Sequence, residues 1–293
     1  MTNRIGFIGL GRLGSAIVRR LCEQGVRPVV WNRDPEKAVP LKAENITVAN
    51  TPRDLAGQAD IVFACVHDAA AIEEILFGPD GVASGASAGS LFVDMSTIGP
   101  VPTRQLAARL RDSSGMAWVD APVSGGVPGA QNGKLVVMAG GAAEDIDRIR
   151  PVLEHVSQQV NRVGDIGAGQ AVKAINQLII SGYVATIAEA MGLAARYDLP
   201  VAELPDILKG GLADSAVLQN QGRRMAAERL ENAGSAAIMI KDLDIVGAMA
   251  SNASQPLPVG TLVSQLYRMQ VSLGFDALGM IGLAQLYRKN SAD

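Results

Sequence analysis

The stretch Arg4-Ile-Gly-Phe-Ile8, running into Gly9-Leu-Gly-Arg-Leu-Gly14 and then SAIVRRLCEQ (15–24), decides the fold. An apolar, strand-like run enters a GxGxxG turn that opens directly into a helical pattern, the setting in which that motif has physical meaning. Gly9 allows the tight turn, Gly11 lets the backbone approach a pyrophosphate, and Gly14 lets helix pack on strand. The helix N-terminus then offers free N–H groups to phosphate. A glycine-rich turn with no ligand is the alternative, and the strand–turn–helix order favours dinucleotide binding. Leu10, Arg12 and Leu13 lie within the motif and join its glycines as expected cofactor contacts.

Outward from this stretch the rhythm repeats. RPVVW (27–31), DIVFACV (60–66), LFVDM (91–95), AWVDA (117–121) and KLVVMAG (134–140) alternate with helical stretches up to about residue 163. That alternation predicts an α/β, Rossmann-like domain with a mostly parallel sheet, here residues 1–163. Beyond Gly167 the strand pattern stops. Helical periodicity continues with breaks near Leu199-Pro200, Gly210-Gly211, Gly234, Pro256 to Pro258 and Gly274, so residues 164–293 read as a long interdomain helix and an all-α C-terminal domain. The first of these helices spans about Ala168 to Arg196, roughly 43 Å at 1.5 Å per residue, and is apolar nearly all round. Such a helix is expected to be buried on most sides, at a domain junction or in a subunit interface.

Composition narrows the function. The 293 residues are 48% hydrophobic and 19% charged with net charge -3, which supplies no broad basic field for nucleic acid or an anionic membrane surface. A small molecule is the expected partner. Cys22 and Cys65 sit in apolar segments without CxxC or metal-ligand spacing, so reduced core cysteines and no metal site are expected. The start lacks a basic stretch followed by an apolar one and a cleavage site, which points to the cytoplasm. Asn176, Gln177 and Glu189 interrupt the longest apolar run, so no transmembrane segment is expected. There is no repeat at solenoid periods and no low-complexity tract.

The second strand ends in Trp31-Asn32-Arg33-Asp34, where an NAD site places a carboxylate for the ribose 2′-OH. Asn32 and Arg33 occupy that region instead, and a guanidinium there suits a 2′-phosphate, which points to NADP. The alternative leaves Arg33 in solvent and gives the ribose to Asp34. Val66, closing the third strand, is a further expected cofactor contact.

Reduction of a carbonyl needs a group to protonate the developing alkoxide. His155 lies in a polar stretch, HVSQQ, read as surface beyond the sheet. His67 follows the third strand with no evident carboxylate to orient it. None of Tyr183, Tyr197, Tyr267 and Tyr287 has a lysine four residues on. Lysine remains, and Lys173 in GAGQAVKAINQ (167–177) is embedded in the apolar helix. Lys173, Asn176 and Gln177 share a helix face, and burial lowers a lysine's pKa toward the range useful for proton transfer at neutral pH. A lysine snorkelling from an amphipathic helix is the alternative, but this helix has no polar face to snorkel along.

The sequence resembles the β-hydroxyacid dehydrogenase family, which includes 3-hydroxyisobutyrate dehydrogenases, tartronate semialdehyde reductases and glyoxylate/succinic semialdehyde reductases. The resemblance covers nearly the whole chain and rests on GFIGLGRLG (6–14), DMSTIGP (94–100), DAPVSGGVPGAQNGKL (120–135), GAGQAVKAINQ (167–177) and Ile240-Lys241-Asp242-Leu243. It implies an enzyme interconverting a short β-hydroxyacid and its semialdehyde with NADP(H), or NAD(H), as a homodimer or homotetramer. It also implies that Lys173 is the general acid/base, that Ser124, Gly125 and Gly126 bind a substrate carboxylate, that Thr97 lies by the nicotinamide and that Lys241 approaches the cofactor. Asn176 and Gln177 are expected at the substrate. Asp120 and Pro122 read as structural, and Asp242 as an ion-pair partner for a nearby cation. Gln177 stands where the family has asparagine, and Leu13, Ile17, Arg20 and Ala248 also depart from the common pattern. Imine reductases share the architecture but hold aspartate or tyrosine at the lysine position; a non-catalytic NADP-binding protein is the alternative from another class.

Overall fold

The structure, a computed structural model, describes residues 3–229 and 234–288. The chain divides into two compact units, Met1–Lys173 and Ala174–Asp293. The division falls inside the long helix, ten residues beyond the boundary expected from sequence.

In the first unit, β1 (Ile5–Ile8), β2 (Val29–Trp31), β3 (Ile61–Ala64), β4 (Leu91–Asp94) and β5 (Ala117–Asp120) form a parallel sheet in the order β2-β1-β3-β4-β5. The sheet continues through β6 (Val123–Ser124), β7 (Leu135–Gly140) and β8 (Ser157–Gly164), with β7 antiparallel to β5 and β6 and parallel to β8. Neither β6 nor β8 was expected. The polar stretch after His155, read as lying beyond the sheet, is β8, whose exposed residues conceal it because it covers the sheet's outer edge rather than its core.

The expected strands are continuous apolar runs because helices cover both faces of a parallel sheet. Along β1, Ile5 and Phe7 enter one core and Ile8 the other; along β3, Ile61 and Phe63 part from Val62 and Ala64 in the same way. Phe7 stacks on Phe63 at 6.3 Å, and Phe92 meets Trp118 at 4.8 Å on the opposite face. Each fully buried side chain of this size contributes about 1.5–3 kcal/mol.

The covering helices are α1 (Arg12–Glu23), α2 (Val39–Ala43), α3 (Pro52–Gly57), α4 (Ala69–Phe77), α5 (Val82–Gly85), α6 (Pro100–Ser114), α7 (Gly126–Gln131) and α8 (Ala143–Leu153). Two start signals are explicit: Thr51 caps α3 by accepting from Asp54 N, and Asp68 caps α4 by accepting from Ala71 N.

α9 (Ala168–Arg196) begins in the first unit and continues into the second, where α10 (Leu204–Ile207), α11 (Arg223–Ala226), α12 (Ala236–Asn252), α13 (Pro258–Ser272) and a 3-10 stretch (Asp276–Tyr287) complete the chain. Each expected break holds: Gly210, Gly234 and Gly274 carry positive φ, and Pro258 opens α13. The second core joins Val184 and Ala188 of α9 to Met239 and Leu243 of α12 and Val263 and Tyr267 of α13.

The chain by itself does not enclose α9. It is not buried on most sides, because Ile175, Ile179 and Tyr183 are each about half exposed and only 33% of its most apolar window is buried within the chain. An apolar helix need not be enclosed by its own chain when its neighbours contact one side only. By length and composition alone α9 could cross a membrane. The buried Gln170, Lys173 and Gln177 on it, and the hydrogen bonds to its first turn described below, tie it to protein instead.

Candidate cofactor and catalytic site

The glycine loop sits where β1 meets α1. Gly9 takes φ 97, and a Cβ there would stand 2.3 Å from the Cys65 carbonyl oxygen. A Cβ on Gly14 would come within 1.9 Å of the Gly9 carbonyl oxygen, so only glycine lets α1 press onto the strand end. A Cβ on Gly11 would meet no protein atom within 4 Å and would occupy the space a pyrophosphate needs. No side chain caps the start of α1, which leaves its orphan N–H groups for an anion. These three glycines and the uncapped helix fit a dinucleotide. Leu13 packs on the core and Arg12 is exposed.

Beside the loop lies a cavity of about 580 Å³ lined by Gly9, Gly11, Asn32, Arg33 and Val66 among others. Leu10, Arg12, Leu13, Gly14 and Thr97 are outside its lining. Both ends of the Asn32 amide are engaged: Oδ1 accepts from Leu10 N at 2.8 Å and Nδ2 donates to the Asp34 carbonyl at 2.8 Å. Asn32 therefore fixes the glycine loop against the end of β2. Asp34 Oδ1 accepts from Glu36 N and caps the following 3-10 turn. Arg33 is exposed and lies 3.4 Å from Glu74 of α4. Cys65 lines the same cavity, and burial of its sulfur pushes the thiol up to about 12, so it remains protonated. His67 lines it too and meets the adjacent Asp68 at 3.1 Å, a partner that reading the sequence did not assign to it.

The start of α9 is built from buried polar groups. Asp120, at the end of β5, accepts from Gly167 N at 2.7 Å and from Gln170 N at 2.9 Å. Burial pushes its carboxyl up to about 6, against the opposing pull of the backbone N–H groups. Gly140 and Gly169 stand so close that a Cβ on either would lie within 2.8 Å of its oxygens. Gln170 in turn accepts from Ile98 N at 3.0 Å and Gly99 N at 3.2 Å and donates to the Ser96 carbonyl at 2.9 Å and to Asp94 at 3.4 Å. Ser96 Oγ accepts from Val66 N, and Ser96 N donates to Asp94. The loop carrying Thr97 is thus clamped to the first turn of α9, one turn before Lys173, which is 9% exposed. Sequence reasoning read Asp120 as structural and missed Gln170, Asp94 and Ser96. The one available signal was Gln170 three residues before Lys173, on its helix face.

Ser124, at the end of β6, is half-buried and followed by Gly125 (φ 122) and Gly126 (φ 60), both exposed, so this loop can present a hydroxyl and consecutive N–H groups. The first unit therefore holds Lys173, Thr97, the Ser124 to Gly126 loop and the glycine loop.

In the second unit, Gln177 Nε2 donates to Asp242 Oδ2 at 2.6 Å, and Asn176 Nδ2 donates to Gln177 Oε1 at 2.9 Å. Lys241 Nζ lies 3.1 Å from Asp242 Oδ1, close enough for an ion pair though off the line of a hydrogen bond. Asp242 thus pairs with Lys241 as expected and additionally holds Gln177, a link 65 residues apart that no spacing reveals. Among the described residues no group of three or more His, Cys, Asp or Glu side chains could hold a metal ion.

A sheet with this glycine turn, an uncapped helix beside it and a buried lysine define a nucleotide-dependent oxidoreductase. Comparison with known proteins narrows the class. Residues 4–164 match the family model described as the NAD binding domain of 6-phosphogluconate dehydrogenase, and residues 167–287 match that of the NAD-binding of NADP-dependent 3-hydroxyisobutyrate dehydrogenase. The chain is 35% identical over 286 residues to the "Probable 3-hydroxyisobutyrate dehydrogenase-like 2, mitochondrial" of Arabidopsis thaliana, covering 98% of this chain and 94% of that one. It is 30% identical to the 2-hydroxy-3-oxopropionate reductase of Escherichia coli, over 96% of each. A solved structure of Psf3 in complex with NADP+ and 2-OPP superposes with a TM-score of 0.88 at 28% identity, covering 96% of this chain and 99% of that one. The chain belongs to the β-hydroxyacid dehydrogenase family and is an NAD(P)-dependent oxidoreductase.

Proposed function

We propose that this protein is an NADP-preferring reductase of short carboxylated semialdehydes, reversibly a β-hydroxyacid dehydrogenase, in which Lys173 carries the proton. The observation that supports this most is the buried Lys173, held one turn beyond a helix start that Asp120 and Gln170 lock to the Thr97 loop. Lysine at this position speaks against imine reduction, for which aspartate or tyrosine is expected. A non-catalytic role would not require a cation buried in an apolar helix.

A nicotinamide bound at the glycine loop would supply the hydride chemistry at the carbon of the substrate carbonyl. Ser124 Oγ and the N–H groups of Gly125 and Gly126 bind the substrate carboxylate and orient the carbonyl. Lys173 Nζ then gives one proton to the carbonyl oxygen as negative charge develops there and is left as a neutral amine, which solvent reprotonates; the oxidative direction reverses the transfer. The uncapped α1 N-terminus would hold the pyrophosphate, and Arg33 would pair with a 2′-phosphate. The half-exposed stripe Ile175, Ile179 and Tyr183, four residues apart on α9, supports a homodimer or homotetramer.

The experiment is Lys173→Ala, assayed with NADPH and a panel of glyoxylate and succinic, methylmalonic and tartronate semialdehydes, with NADPH binding followed by fluorescence. Loss of turnover with binding retained is expected. Full activity in that variant removes the assignment.

A further inference from the structure

The cofactor cavity contains a contact that works against the cofactor this protein is proposed to prefer. Arg33 Nη1 lies 3.4 Å from Glu74 Oε2, the two are 78% and 64% exposed, and both line the cavity. Arg33 comes from the turn after β2 and Glu74 from α4. The placement of Glu74 is not loose. Asp68 caps α4, and the adjacent Glu73 pairs with Arg109 of α6 at 2.6 Å, whose guanidinium lies 3.9 Å from the centre of the Phe77 ring. With Glu73 held by α6, α4 presents Glu74 to the cavity.

The remaining charges of the lining do not serve this role. Asp34 caps its own turn, Asp80 pairs with Arg53 at 2.9 Å, and Lys37 lines the cavity as a second cation. A 2′-phosphate entering the site therefore either takes Nη1 of Arg33 from Glu74 or binds the remaining N–H groups of that guanidinium with the Glu74 carboxylate as a neighbouring like charge. A cofactor that carries only a 2′-hydroxyl needs no such exchange.

We infer that Glu74 is a specificity-determining residue: it competes with the 2′-phosphate for Arg33 and so limits the preference for NADPH over NADH. This rests on the reading of Arg33 as the 2′-phosphate partner. An exposed ion pair is worth little, so the competition is modest, about twofold to fivefold in cofactor affinity.

The test uses the intact protein and measures dissociation constants for NADPH and NADH by fluorescence titration, without substrate. Glu74→Gln is expected to tighten NADPH about twofold to fivefold while NADH shifts by a smaller factor, so the ratio of the two constants moves toward NADPH. In an Arg33→Ala background most of that gain disappears, because there is no guanidinium to release. An unchanged ratio, a ratio moving toward NADH, equal tightening of both cofactors, or a gain that survives Arg33→Ala overturns the role of Glu74. Arg33→Ala alone separates this from the underlying reading: if it leaves the ratio unchanged, Arg33 is not the phosphate partner and both fall; if it lowers the ratio while Glu74→Gln does nothing, only the role of Glu74 falls.

Discussion

The glycine loop and the start of α9 each hold one part of the proposed site, the first the cofactor and the second Lys173, yet they are built in opposite ways. The loop is compact in sequence: three glycines lie within six residues, of which Gly9 and Gly14 meet steric demands set by the Cys65 carbonyl, the Gly9 carbonyl and Phe7, while Gly11 leaves open space. The α9 start is non-local: Asp120 reaches Gly167 and Gln170 across 47 and 50 residues, and Gln170 reaches Asp94 and Ile98 across 76 and 72. A local device fails by sterics at one position. A non-local one fails by leaving buried partners unsatisfied at several.

The largest break is chemical. Lys173→Ala lowers kcat by about a thousandfold, within the range for losing a general acid/base, while thermal unfolding and NADPH affinity stay near those of the wild type. Retained turnover would mean that α9 is locked for some purpose other than placing the lysine.

Next is Gln170→Leu, which removes the acceptor for Ile98 N and Gly99 N together. A cost of about 2–3 kcal/mol in unfolding free energy is expected for buried donors left unpaired, measured by urea denaturation. A loss below half a kcal/mol would show that the Thr97 loop is held by something else.

Asp120 sharpens the contrast through pH. Its folded pKa of about 6 lies above the ordinary 3.8. The group's contribution to stability is therefore fully present below pH 3.8 and is lost as pH rises through 6. Comparing wild type with Asp120→Asn across pH 4 to 7, the wild type loses on the order of 2 kcal/mol relative to the variant, from the linkage between pKa shift and stability. Parallel curves for the two proteins would place the titration elsewhere.

The smallest effect belongs to the local device. Gly11→Ala places a methyl in open space, so the melting temperature should barely move, while NADPH affinity falls about tenfold because backbone N–H groups can no longer close on phosphate. Equal losses in stability and affinity would contradict the cradle.

This contrast also explains what the sequence disclosed. The GxGxxG turn, the apolar strands and the glycine and proline breaks of the helical unit were legible because each rests on contacts close in sequence. β8 was not, since a strand covering an edge carries polar residues without a buried period, and neither were the Asp120 and Gln170 networks nor the Gln177 bond to Asp242. Lys173 was legible for a third reason: a cation in an apolar helix is costly wherever the chain folds, so its presence alone raises a question of function. Its own chain supplies only part of the enclosure expected for α9, because apolar composition states what a helix face requires but not which chain supplies it.

One feature of α9 bears on how such enzymes can change. Because the compact first unit ends at Lys173, the proposed proton carrier is inherited with the nucleotide-binding sequence, and Asn176 and Gln177 belong to the other module. The helix is thus a seam for recombination: a chimera joined just after residue 173 should keep the glycine loop, the Ser124 to Gly126 loop and the proposed proton donor, and exchange only the surroundings that begin at Asn176 and Gln177.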